Sequence, residues 1–465
     1  MACRSKGYKI KGLEMLKSIS PLDSRYYKRV EPLGDYFSEY ALMGARIWVE
    51  LQYLLALDKT GLFEPLGKRE IKRIEKMSES FTKEDYDAIK EIEATLNHDV
   101  KSCEVYLIQE LKLRQPNMIH FGLTSEDVNN LSHSLLLKKY RDEYQLPQLK
   151  SFLSLMGKKI TAWKGLAIPA RTHGQMASPT TAGKEIAVFA SRLMRQYTAL
   201  KIFKFRGKLN GASGNYSAFV SASKEINWMQ FSKKFVESLD LEMNPATTQI
   251  EDHDTWSEYF FITKMINTIL IDVNEDMWIY LMLGYLKQKV KAGEVGSSTM
   301  PHKVNPINFE NSEGNLGIAN SLLEHFSTKL SRSRLQRDLS DSTVERNFGV
   351  ALAHASLGLL ETQRGLNKLT VNAEFCEKEL NDYPELLAEP IQTILRREGF
   401  ANPYDIMKSL TRGQGITVAN LNKFINSLKV SDEVRQELAE LRTFTYTGIA
   451  EKVCNEVLKD MKKGL

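Results

Sequence analysis

The chain has 465 residues, 42% hydrophobic and 26% charged, the proportions of an ordinary globular protein with enough apolar mass for two or three domains. Its formal net charge is +5, but Arg4, Lys6, Lys9, Lys11 and Lys17 against Glu14 place +4 of that in the first 17 residues; the nearly neutral body carries neither the basic stripe nor the reading motif of a nucleic-acid binder. Cys3, Cys103, Cys376 and Cys454 show no paired or metal-type spacing and no apolar run reaches membrane-spanning length, so the expectation is a cytoplasmic chain with reduced thiols, no membrane partner, no metal, and a disordered tail over about residues 1–17.

In chain order, Ser20-Pro21-Leu22-Asp23-Ser24-Arg25-Tyr26 is a turn-rich opening that sets an arginine beside a phenol; taken alone, Arg25 reads as a surface ion-pairing residue. From Glu39 to Leu57, Leu42, Ile47, Leu51, Leu54 and Leu55 recur at helical spacing without proline, and Lys68 to Met77 and Glu84 to Leu111 continue in the same style. Asn97-His98-Asp99-Val100-Lys101 falls at or near a break in the last of these, where His98 by itself reads as a satisfied helix histidine. Thr124-Ser125-Glu126-Asp127-Val128-Asn129-Asn130 follows a break at Gln115-Pro116-Asn117. Thr124 with Asp127 three residues later fits a capping box, and hydroxyls and amides at a helix start also suit an anion.

Pro169-Ala170-Arg171-Thr172-His173-Gly174-Gln175, closed by Pro179, cannot hold His173 on a regular apolar helix face. The imidazole should project from a turn, where it serves either as a proton carrier or as a structural hydrogen-bonding group. Lys184 to Lys208 is free of proline, and Gly207, Gly211 and Gly214 then break the pattern. Asp254 to Val290 repeats Phe261, Met265, Ile269, Val273, Met277 and Tyr280, a sustained helical stripe apolar on more than one side, suited to a bundle that also meets other subunits. Between them, Thr247-Thr248-Gln249-Ile250-Glu251-Asp252-His253 offers polar groups at a helix start, with His253 as a competitor to His173 for the acid role.

Gly293-Glu294-Val295-Gly296-Ser297-Ser298-Thr299-Met300-Pro301-His302-Lys303-Val304-Asn305-Pro306 reads as a mobile loop, because its glycines and hydroxyls resist ordering into a helix or packed strand. Asn305-Pro306 reads as an N-cap followed by proline at the first helical position, so a helix starts at Pro306 with Lys303 beside its positive end. Asn308, Glu310, Asn311, Glu313 and Asn315 make that helix polar enough to line a wet cavity. Arg332, Arg334, Arg337 and Arg346 alternate with Asp338, Asp341 and hydroxyls, a pattern that suggests a structured anion site. From about Asn367 the helices are shorter and more often interrupted. Walker, dinucleotide and zinc spacings are absent, and no cofactor is implied.

Gly-Ser-Ser-Thr-Met-Pro-His-Lys-Val-Asn-Pro resembles the signature of the fumarase/aspartase superfamily, and Met-Pro-His-Lys is similar to its adenylosuccinate lyase branch. The resemblance runs from about Ser20 to the C-terminus with all the quoted motifs in order. It implies an all-α, three-domain fold: residues 1–115, a central long-helix bundle over 116–366 that carries the catalytic loop 293–306, and 367–465. It further implies a homotetramer with a shared bundle, a nucleotide substrate, and β-elimination of fumarate from a succinylamino nucleotide in purine biosynthesis. Ser297 would be the base and His173 the acid. Arg25, Tyr26, Asn97, His98, Asp99, Thr124, Ser125, Gln249, Ser298, Lys303, Asn305, Asn311, Arg337, Ser342, Thr343 and Arg346 would contact substrate, with His253 in support. The alternatives are a sister lyase such as argininosuccinate lyase, fumarase or aspartase, or a non-catalytic structural relative.

Overall fold

A computed structural model of the chain describes residues 17–289, 300, 303–411 and 417–465. Ser297 and Ser298, with the segment 290–299 that holds them, lie outside the described residues, as does the tail 1–16. The main helices are α1 (Glu39–Asp58), α2 (Lys68–Glu79), α3 (Lys83–Leu96), α4 (Asp99–Leu111), α5 (Ser125–Tyr140), α6 (Leu146–Trp163), α7 (Ala182–Ile202), α8 (Trp228–Ser238), α9 (Asp254–Met282), α10 (Ile307–Lys329), α11 (Ser340–Glu345) and α12 (Phe348–Lys368), followed by shorter helices to the C-terminus. Strands among the described residues form three two-stranded pairs: β1 (Ala167–Thr172) with β2 (Gln175–Thr181), β3 (Arg206–Gly207) with β4 (Glu242–Met243), and β5 (Leu286–Gln288) with β6 (Leu369–Val371). The protein is an all-α protein in which the strands serve as clips.

Two compact units share the chain. The first comprises Met1–Gln148, Ala199–Thr268 and Gly314–Gly358; the second comprises Leu149–Thr198, Ile269–Glu313 and Leu359–Leu465. The division falls inside α6, α7, α9, α10 and α12.

In the first unit, α1 starts where Ser38 accepts the Ala41 N–H, and it buries Met43, Ile47, Leu51 and Leu54 on the stripe read from the sequence. Asn97, in a left-handed conformation (φ 53°), ends α3, and His98 caps α4 by accepting the Lys101 N–H. The break at this motif thus separates two helices. The unit's centre is aromatic: Trp256 and Phe260 of α9 and Phe326 of α10 surround Phe348 of α12, with ring centroids 4.9–5.8 Å apart.

The second unit joins its segments of α9, α10 and α12 with polar groups. Asn274 donates to Ser312, Ser312 and Thr362 share a hydrogen bond, and Thr362 donates back to Asn274, at 2.9, 2.8 and 3.0 Å. All three residues are buried, so a register slip of any helix would leave partners unmade. The helix expected to run from Asp254 to Val290 ends earlier, at Met282. Gly284 (φ 80°) donates to Leu281 and Tyr285 to Tyr280, a left-handed C-terminal stop, after which β5 pairs with β6. The helix expected from Pro306 begins at Ile307, with the Phe309 N–H returning to the Pro306 carbonyl.

His120, in the first unit, binds the buried carboxylate of Glu50 through Nδ1. Burial pulls the His120 pKa down, but the Glu50 hydrogen bond and charge outweigh it, so the net shift is upward. A group whose folded pKa is raised contributes fully below its unfolded value, about 6.5, and loses that contribution as pH climbs through the folded value. The urea midpoint should therefore fall as pH rises above about 6.5, and Glu50→Gln should flatten that part of the curve; a flat wild-type profile there would refute the assignment.

Candidate active site

The first unit gathers most of the motif residues. Arg25 is exposed and Tyr26 half-buried at the opening turn. Asn97 and His98 are exposed, while Asp99, half-buried at the start of α4, is held by Arg46 Nη2 at 2.9 Å and approached by Arg346 Nη2 at 3.5 Å. Burial pushes the Asp99 carboxyl up, but the Arg46 guanidinium and the Val100 N–H hold it below the usual carboxylate range. Two guanidiniums thus meet on one carboxylate, with the Glu39 carboxylate also near Arg346. They stand on the wall of a cavity of about 300 Å³ lined also by His133, Glu345, Leu42, Tyr36 and Phe348.

Beneath this wall lies a buried polar layer. Arg337 Nη2 is 2.9 Å from Glu126, and Glu345 stands 3.5 Å from His133 Nε2 and 4.0 Å from His253 Nε2. Burial first, then the neighbouring carboxylates, drive Glu345 well above the usual range; burial also raises Glu126, against the pull of Arg337. The same burial lowers His133 to about 3 and His253 to about 4, so both imidazoles are neutral at physiological pH. His253, a competitor for the acid role on sequence grounds, is fully buried and stacked on Trp256 at 4.2 Å. Ser342 and Thr343 lie on α11, half-buried and exposed respectively, and Ser342 accepts a hydrogen bond from Arg346.

The start of α5 is fixed by Asp127. Its carboxylate accepts the Thr124 N–H at 2.9 Å, the Asn210 N–H at 3.0 Å and the Gly211 N–H at 3.2 Å, and pairs with Lys208 Nζ at 3.0 Å. Asp127 and Lys208 are both 0% exposed, so this ion pair carries no solvent screening. Thr124 and Ser125 are half-buried above it. The 208–216 loop in turn supports Gln249, which donates to the Ala212 carbonyl at 3.1 Å. Gly214 (φ 77°) lies so close to Thr247 that an added Cβ would sit 2.1 Å from the Thr247 carbonyl oxygen. No other residue fits there.

His173, Lys303, Asn305 and Asn311 belong to the second unit. The turn expected at His173 is the tip of the β1–β2 hairpin: His173 (φ 52°) and Gly174 (φ 76°) are the two central residues between the paired Thr172 and Gln175. Positive φ at both positions is the geometry that matches the strand twist, and it leaves the imidazole exposed. Arg171 secures the tip by donating to the Gly174 carbonyl at 3.1 Å while bound to the Tyr285 hydroxyl and to Glu379. Lys303 is exposed, and its N–H returns to the Met300 carbonyl at 3.0 Å; Asn305 and Asn311 are half-buried.

Sequence reasoning did not single out Arg46, Glu126, Lys208, Glu345 or Arg171 as members of the site. Arg46 and Glu50 were visible as charges four apart inside an otherwise apolar helix, and a buried charge of that kind demands a partner.

Comparison with known proteins bears on this arrangement. The family model described as "Lyase" matches residues 24–319, and the one described as "Adenylosuccinate lyase C-terminal" matches residues 333–447. Among solved structures, a 3-carboxy-cis,cis-muconate lactonizing enzyme from Pseudomonas putida superimposes with a TM-score of 0.75 at 19% identity, covering 93% of this chain and 97% of that one. A fumarate lyase from Mesorhizobium sp. BNC1 gives a TM-score of 0.75 at 16% identity, covering 92% and 97%. The fold is that of a lyase of the fumarase/aspartase type. Within that class the chain belongs to the adenylosuccinate lyase family: it is 45% identical over 446 residues to the adenylosuccinate lyase of Haemophilus influenzae, 94% of this chain and 98% of that protein. It is 44% identical over 454 residues to that of Escherichia coli K12 (96% and 99%) and 43% identical over 454 residues to that of Dictyostelium discoideum (94% and 97%).

Lys208→Met should destabilise the fold by about 3–5 kcal/mol, the usual cost of stranding one member of a buried pair. Adding Asp127→Asn should recover part of that loss in urea denaturation. A single variant as stable as the parent would show that the pair carries no such weight.

Proposed function

We propose that this chain cleaves adenylosuccinate to AMP and fumarate, and splits the succinylated aminoimidazole carboxamide ribotide in the same way, by anti β-elimination in the cytoplasm. The observation that carries the reading is near-full-length similarity to adenylosuccinate lyases in a chain that retains Ser297, Lys303 and His173 together. The pairing of Asp99 with both Arg46 and Arg346 on one cavity wall supports it, because a nucleotide bearing a phosphate and two carboxylates needs positioned guanidiniums.

The chemistry requires removal of a proton from the carbon next to a carboxylate and protonation of the departing nitrogen. Ser297 takes the first role as an alkoxide. A serine hydroxyl is too weak an acid to ionise unaided, so the loop must exclude water while Lys303 and backbone N–H groups stabilise the anion. His173 gives its proton to the nitrogen. Lys303, Asn305, the helix start after Pro306, Ser298 and Thr124 hold the aci-carboxylate intermediate. Arg25, Tyr26, Asn97, His98, Asp99, Ser125, Gln249, Asn311, Arg337, Ser342, Thr343 and Arg346 bind the remainder of the substrate.

The active form is a homotetramer whose sites draw on several chains. Exposed apolar side chains support this on the long helices of each unit: Phe261, Met265 and Ile318 in the first, Trp278, Ile279, Met282 and Ile307 in the second, 38–63% exposed. Such a set suits helix packing against further copies.

Ser297→Ala should lower kcat on adenylosuccinate by roughly 10²–10⁴-fold, the range for loss of a positioned base, with KM changed little. An active Ser297→Ala enzyme would remove the assignment. Mixing Ser297→Ala with His173→Ala subunits should restore part of the activity if sites are shared between chains; no recovery in a verified mixed tetramer would mean each chain is self-sufficient. Fumarate release from argininosuccinate or aspartate, but not from adenylosuccinate, would reassign the substrate.

A further inference from the structure

Glu126 on the first turn of α5, His253 immediately before α9 and Glu345 at the end of α11 come from distant parts of the sequence, yet one oxygen or nitrogen from each lies within 4.8 Å of the others. Glu126 is 1% exposed, His253 0% and Glu345 7%. The second oxygens of the two glutamates are engaged, with Arg337 Nη2 at 2.9 Å and His133 Nε2 at 3.5 Å. Glu126 Oε1 and Glu345 Oε1 have no hydrogen-bond partner among the described residues, while the Leu330 backbone lies near one ring nitrogen of His253 and Asn129 approaches the Glu126 carboxylate. A buried polar atom left without a partner costs about 1–3 kcal/mol, and here two converge on one point.

We propose that Glu126, His253 and Glu345 bind a single divalent transition-metal ion of the zinc class, buried within the first unit. A cation serves all three. Two carboxylates with one imidazole form a donor set suited to zinc, with ligands at about 2.0–2.2 Å. Tetrahedral ligands at that distance stand roughly 3.4 Å apart, so the present spread closes by modest rotation of the two glutamate side chains. His253 needs no rearrangement, since its ring is already clamped parallel to Trp256, 7° from coplanar.

The charge balance points the same way. Glu126, Glu345 and the neighbouring Asp341 face the guanidinium of Arg337, and the other cations within reach, Arg46 and Lys208, are already paired with Asp99 and Asp127. A divalent ion would offset the repulsion among these closely placed carboxylates. It would also crosslink the segments around Glu126, His253 and Glu345 from beneath the cavity wall. The role is structural: the ion would hold the residues behind the cavity wall and touch no reacting atom.

The full-length protein, stripped with a chelator and dialysed, should take up one Zn²⁺ per chain by elemental analysis after gel filtration, and its thermal midpoint should rise with added Zn²⁺. Co²⁺ should bind with the visible absorption of a low-coordinate site. His253→Gln and Glu345→Gln should each weaken Zn²⁺ binding by more than about 100-fold, beyond the loss typical of a supporting residue. Anomalous diffraction at the zinc edge requires no variant and should place one peak among the three side chains. Failure of the folded wild-type protein to retain Zn²⁺, an anomalous peak elsewhere, or folded variants that keep stoichiometric zinc would each overturn the proposal.

Discussion

The Asp127 carboxylate is the constraint on which the first unit's functional surface rests. It is closed from water, balanced by Lys208, and satisfied by N–H groups from its own helix cap and from the 208–211 loop. A buried ion pair is costly to desolvate, and it survives only where most of its hydrogen-bonding capacity is used. Here that use ties the start of α5 to a glycine-broken loop, which then supports Gln249. The hydroxyls of Thr124 and Ser125 are therefore presented by a rigid base.

Around that base the protein uses buried polarity for register. The Asn274, Ser312 and Thr362 triangle sets three long helices in the second unit, and the Arg46 to Asp99 pair sets α4 against α1 in the first. Apolar stripes alone would tolerate sliding by a turn, since one leucine fills another's place with little loss. Unmade hydrogen bonds would not be so forgiving. The same economy explains the small strands. The β1–β2 hairpin carries His173 on a two-residue tip, and Arg171 locks the tip from behind.

Much of this was legible in the residues. The helices around 39–57 and 68–77, the helix start near Pro306, the break at Asn97-His98, the cap at Thr124 and the turn at His173 follow from spacing, capping chemistry and proline placement. The misjudged points were two helix ends, since α7 stops at Ile202 rather than Lys208 and α9 stops at Met282. Apolar residues continue past Met282, and periodicity cannot distinguish a last helical turn from a strand that pairs with residues 369–371. A glycine at 284 was the available sign, outweighed by the length of the stripe.

By itself the sequence determined an all-helical lyase, because local propensity, periodicity and a long contiguous signature are all carried by neighbours in the chain. Only the tertiary structure decided which charges meet. Arg46 with Asp99, Asp127 with Lys208, and Glu126 with His253 and Glu345 are 53 to over 200 positions apart. Such partners are selected by burial, where an unmatched charge is intolerable, and burial is a property of the folded chain.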